Sequence, residues 1–83
     1  MTEIQSAIRK FIARELLFQK DESILKVDDQ LLEKRMIDSS GMMELVTFLE
    51  TEYGIHVTRE DIIPDNFETI EQISKLVASK VGK

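Results

Sequence analysis

Ile37-Asp38-Ser39-Ser40-Gly41-Met42-Met43-Glu44-Leu45-Val46-Thr47-Phe48-Leu49-Glu50-Thr51-Glu52-Tyr53-Gly54-Ile55 decides the fold. Met42, Leu45, Val46, Leu49 and Tyr53 repeat at helical spacing on one face, while Glu44, Thr47 and Thr51 lie away from it. Asp38 or Ser39 opens the helix as a polar cap, because side-chain oxygens there accept first-turn N–H groups that have no helical acceptor. Gly54 closes it after Tyr53, as a residue free to turn left-handed, and Ile55 is the apolar residue that often follows.

Working outward, Ile4, Ile8, Phe11, Ile12 and Leu16 form a second apolar stripe, with Arg9, Lys10 and Arg14 mostly off it. The pattern predicts a helix from near Thr2 to Leu17. From Gln19 to Met36 it weakens into a long ordered loop, with Ile24, Val27, Leu31 and Leu32 as apolar anchors and a turn of helix near Leu31. Beyond Gly54, Thr58 reads as the cap of a short helix through Ile62, stopped by Pro64. Thr69 to Gln72 fits a capping box that opens a last helix, with Ile70, Ile73, Leu76, Val77 and Val81 on its buried side. No strand pattern longer than Ile55 to Val57 appears. The expected fold is all-α: one domain over residues 1–83, a four-helix bundle of three main helices and a short third, with a long loop between helices 1 and 2.

Composition narrows the chemistry. The 83 residues carry a net charge of −5 and include no cysteine and one histidine, His56. Thiolate metal sites, disulfides and histidine-rich metal sites are therefore out of reach. The acids in the Gln19–Met36 loop do not make a calcium loop, which needs a central glycine, and no glycine precedes Gly41. No apolar run approaches the roughly 20 residues that span a bilayer, and Glu3, Arg9 and Lys10 interrupt any leader-like start. A cytoplasmic monomer without a membrane span is expected. Residues 38–74 hold nine acids against one base, Arg59, whereas residues 1–37 balance. Nucleic acid is thus excluded as a partner, and a basic protein surface is favoured.

Asp-Ser before a helix is, on four residues alone, an N-cap. Gly41 complicates that reading, because a first-turn glycine costs about 1 kcal/mol against alanine. Its missing side chain would suit a bulky group that approaches the backbone beside Ser39. Ser39 is not a catalytic nucleophile, which needs an adjacent base and an oxyanion hole. His56 lies past the far end of the same helix, about 25 Å away at 1.5 Å per residue. A hydroxyl that cannot activate itself can still be modified by another enzyme, and the helix N-terminus welcomes a phosphate. Ser39 reads as an attachment point in a chain with no activity of its own.

In one register, Asp38-Ser39, Glu44-Leu45-Val46, Leu49-Glu50 and Tyr53-Gly54-Ile55 resemble the modification site and second helix of acyl carrier proteins, and the likeness runs over essentially the whole chain. The resemblance implies that Ser39 carries 4′-phosphopantetheine, delivered from coenzyme A by a phosphopantetheinyl transferase. Asp38 would cap the helix and help orient the serine and a metal ion during transfer. Ser40, Met43, Glu44, Thr47 and Glu50, with Glu52, would form the face read by partners, Met43 exposed and Met42 packed inward. The arm's thiol would hold cargo as a thioester.

Fatty-acid-synthesis carriers usually have leucine and then an acid after the modified serine, where this chain has Ser40 and Gly41. Their second exposed apolar residue corresponds to Thr47. The Asp-Ser-x-Gly variant is more similar to D-alanyl and other free-standing carriers that work with AMP-forming ligases. Those usually carry glycine three residues before the aspartate, where Arg35 stands here. The implied cargo is a short acyl or aminoacyl group, loaded by an activating ligase or acyltransferase with a basic docking surface. The alternatives are a fatty-acid-synthesis carrier and an unmodified acidic helical interaction module. His56 is expected to be structural or solvent-facing. Met36, Met42 and Met43 are expected to pack around the attachment point.

Overall fold

A computed structural model describes residues 2–82. Helix α1 spans Glu3–Phe11 and opens on a capping box in which Thr2 and Gln5 exchange side-chain-to-backbone bonds. The helix continues without a break into a π-helical turn, Ile12–Leu16, where Leu17 N–H reaches back five residues to Ile12 O at 2.9 Å. The helical stretch expected to Leu17 is therefore present, but its last turn is wider than an α-turn.

Helix α2 spans Ser39–Tyr53 and buries Gly41, Met42, Leu45, Val46 and Leu49; Tyr53 is half-buried. It ends at Gly54, whose φ of 62° is the left-handed conformation that glycine adopts without a Cβ penalty. Helix α3 is one turn, Pro64–Phe67, and α4 runs Ile70–Val81 from the Thr69–Gln72 capping box. Among the described residues there are no strands, and the chain is a small all-α bundle. No helix among them is long and apolar enough to cross a membrane.

The core joins Ile8, Ile12 and Ala13 of the first helical stretch to Leu45 and Leu49 of α2 and to Ile70, Ile73 and Val77 of α4. Phe67 is buried and closes one end, so the short α3 is an anchor for an aromatic ring. At the periphery, Phe11 stacks on Phe48 with centroids 4.3 Å apart. Val81, expected to be buried, is about half exposed at the last residue of α4.

Two sequence expectations change. Pro64 does not stop a helix; it starts α3 from the first position, where its fixed φ suits a helix and its missing N–H costs nothing. Thr58 does cap a short segment, but that segment is a single 3₁₀ turn, Arg59–Asp61. The long loop is tied down more tightly than its polar sequence suggested. Leu25 and Leu31 are fully buried, whereas Ile24 is largely exposed above a 3₁₀ turn at Glu22–Ile24. Asp21 accepts from Ser23, and Asp29 accepts from Lys26 N–H at 2.9 Å, which holds each carboxyl below the usual range. Leu31 N–H donates to Glu68 O, and Glu71 N–H to Val27 O, so the loop is stitched to the α3–α4 corner.

Candidate functional site

Ser39 is the first residue of α2 and is exposed. Asp38 caps the helix, its Oδ1 accepting from Gly41 N–H at 2.7 Å, while Asp38 O accepts from Met42 N–H. The cap fixes the direction in which Ser39 leaves the helix. Packing within the chain supplies a reason for Gly41 that its sequence position does not show. It is buried, and a Cβ there would stand 3.1 Å from Ile37 Cγ2 and 3.3 Å from Asp38 Oδ1. The chain itself therefore approaches closely at this position.

Beside Ser39 lies an open cleft of about 440 Å³. Leu32, Ile37 and Met42 form one wall, and Ile62, Ile63, Pro64 and Phe67 form the other; Asp38, Ser39 and Arg35 complete its rim. Sequence reading placed Ser39 and Asp38 but not the second wall, which comes from a segment some 25 residues away, brought in by Phe67 packing into the core. A second depression of about 520 Å³ lies on the Ser40 side of the helix start, bordered by Phe18, Arg35, Asp38, Ser40 and Glu44.

The face expected to meet partners divides. Ser40, Met43, Glu44 and Thr47 are exposed along α2, with Met43 56% accessible and Met42 buried. Thr47 Oγ1 donates to Met43 O, back-bonding within the helix. Glu50 does not belong with them. Its carboxylate accepts Val57 N–H at 2.9 Å and lies 3.5 Å from His56 Nδ1, clamping the segment after Gly54 against the helix. His56 is accordingly at the opposite end of α2 from Ser39, and its ring is 84% exposed. Phe18, which sequence reading left aside, is 84% exposed and held at φ 55° just after the π-turn. No sequence signal marks it.

One ion pair beside the cleft is structural. Lys80 Nζ approaches Asp61 Oδ2 at 2.8 Å, and Thr58 donates to the same carboxyl from N–H and hydroxyl. Together these donors hold Asp61 down to about 2. The pair fastens the last turn of α4 to the turn that leads into the cleft wall.

The sequence matches no family model and no curated protein. The fold is similar to a chain from a solved structure described as the crystal structure of an FAD-dependent dehydrogenase. The likeness has a TM-score of 0.75 and 28% identity, over 83% of this chain and 96% of that one. The matched chain is therefore shorter than this one.

Proposed function

We propose that this chain is a carrier: Ser39 takes a 4′-phosphopantetheine arm, and the arm's thiol presents an acyl or aminoacyl group to partner enzymes. The observation that carries this reading is the exposed Ser39 hydroxyl on the first turn of a capped fifteen-residue helix, beside an open apolar cleft. The residues fit the group. The helix N-terminus favours the phosphodiester's charge, Asp38 fixes the serine's exit, and the cleft offers apolar surface to the arm or a short cargo. When bound, the arm supplies the thiol that this cysteine-free chain lacks. Asp38, by the same family likeness, would also help orient a metal ion during transfer.

Partners would approach along Ser40, Met43, Glu44 and Thr47, where the acid Glu44 and one exposed methionine form the rim. Basic docking surfaces on a phosphopantetheinyl transferase, a ligase or an acyltransferase match that rim. The Asp-Ser-x-Gly start and Thr47 favour a specialised, non-housekeeping role with short acyl or aminoacyl cargo. Flavin chemistry is not carried over from the dehydrogenase structure to this chain.

The test is loading. Holo protein offered to adenylating ligases should acquire a hydroxylamine-labile acyl or aminoacyl group. Loading by malonyl transferase alone would reject the specialised role, and flavin absorbance co-purifying with the chain would contradict the carrier reading.

A further inference from the structure

Resting on the carrier reading, we propose that Arg35 holds the phosphodiester that joins the arm to Ser39. Arg35 is the sole cation on the rim of the Ser39 cleft, and it also borders the depression on the Ser40 side. Among the described residues its guanidinium makes no ion pair and no hydrogen bond, although Asp38 shares the same rim.

The backbone is set against its preference to put a side chain there. The turn at Leu31 ends with Met36 N–H bonded to Leu31 O at 2.8 Å and Arg35 N–H to Leu32 O at 3.1 Å. These are the paired bonds of a Schellman turn, in which Arg35 occupies the left-handed position that glycine usually fills. Its φ is 55°. A side chain at such a position carries a conformational cost that glycine would not. The turn itself is rigid, because the Glu68 carboxylate accepts Leu32 and Glu33 N–H at 2.9 and 3.2 Å.

A fixed turn thus presents an unpaired planar guanidinium on the rim of the cleft that Ser39 lines. In a region otherwise dominated by acids, the group it fits is an anionic oxygen cluster. The phosphodiester sits on the Ser39 hydroxyl itself, whereas a cargo carboxylate would lie at the far end of a flexible arm. Guanidinium suits phosphate through two parallel N–H···O bonds, which lysine reproduces only as a point charge. Held this way, the arm would leave Ser39 along the cleft.

The experiment uses holo full-length protein, made from coenzyme A with a phosphopantetheinyl transferase, as wild type and as Arg35→Gln, Arg35→Lys and Arg35→Gly. Failure to form holo protein is failure of the carrier reading and is scored before this test begins. The probe is the ³¹P resonance of the free-thiol holo forms, titrated with salt. Wild type should differ in shift from Arg35→Gln and converge on it as salt screens the pair, with Arg35→Lys between them. Arg35→Gly should lose the shift while its melting temperature rises by roughly 4–8 °C, and Arg35→Gln should melt near wild type. Identical ³¹P behaviour in all four forms overturns the proposal. A response seen only after loading a dicarboxylic acyl group overturns it in favour of a cargo contact. An Arg35→Gly protein no more stable than wild type removes the premise that the side chain is kept against the backbone, and the proposal with it.

Discussion

Gly41→Ala separates two explanations of the residue beside the attachment serine. Helix propensity alone favours alanine by about 1 kcal/mol. Against it, the new Cβ would sit 3.1 Å from Ile37 Cγ2 and 3.3 Å from Asp38 Oδ1, with Leu16 Cδ1 at 3.7 Å. Neither near neighbour can withdraw freely. Ile37 is buried and its N–H faces Leu31 O at 3.4 Å, while Asp38 Oδ1 is engaged with Gly41 N–H at 2.7 Å. Overpacking of this kind costs about 1–3 kcal/mol, and loosening a cap worth about 0.5–2 kcal/mol adds to it. The net expectation is destabilisation by about 2 kcal/mol, within a range of about 0.5–4, or a melting temperature lower by roughly 8–16 °C for a domain of this size. Thermal unfolding followed by far-UV circular dichroism reads it directly. If the glycine instead made room for a visiting enzyme, Gly41→Ala would melt at or above wild type and lose only modification rate. That outcome would refute the packing argument.

Other predictions follow from the same contacts. Asp61 is depressed from its ordinary 3.8 to about 2, chiefly by Lys80. Its contribution is fully present above about pH 4 and is lost as pH falls towards 2, so acid unfolding of wild type should steepen there and Asp61→Asn should flatten it. Glu44→Lys should slow modification or loading by basic partners roughly tenfold or more at low salt, with an unchanged melting curve. Glu50→Ala should do the reverse, costing about 1–2 kcal/mol in urea unfolding because Val57 N–H loses its charged acceptor, with partner kinetics unaffected.

Periodicity and caps made most of the fold legible. Asp38, Thr58 and Thr69 all accept helix N–H bonds where the sequence places polar caps, and Gly54 turns left-handed where it should. These signals are local, so the residues that carry them lie within four positions of their effect. The misreadings are of another kind. Pro64 was ambiguous because the same ring that ends one helix can begin another, and the outcome depended on Phe67 finding the core. Glu50 and Glu44 look alike on a helical wheel, yet only Glu50 has a returning strand of backbone within reach. Gly41 was placed correctly, but its reason lay in Ile37 and the cap oxygen. Arg35 is visible as a base where the carriers that the sequence resembles usually have glycine. Its left-handed backbone, and its place on the rim facing Ile62 to Phe67, depend on contacts between distant segments that no local pattern encodes.

The central claim is that Ser39 is a tether. Intact-mass analysis after incubation with coenzyme A and a competent phosphopantetheinyl transferase tests it most directly. The account predicts a gain of one phosphopantetheine on the wild-type chain and none on Ser39→Ala, a variant whose unfolding should stay within about 0.5 kcal/mol of wild type because the side chain is exposed. No gain with several competent transferases, or an equal gain on Ser39→Ala, would contradict it.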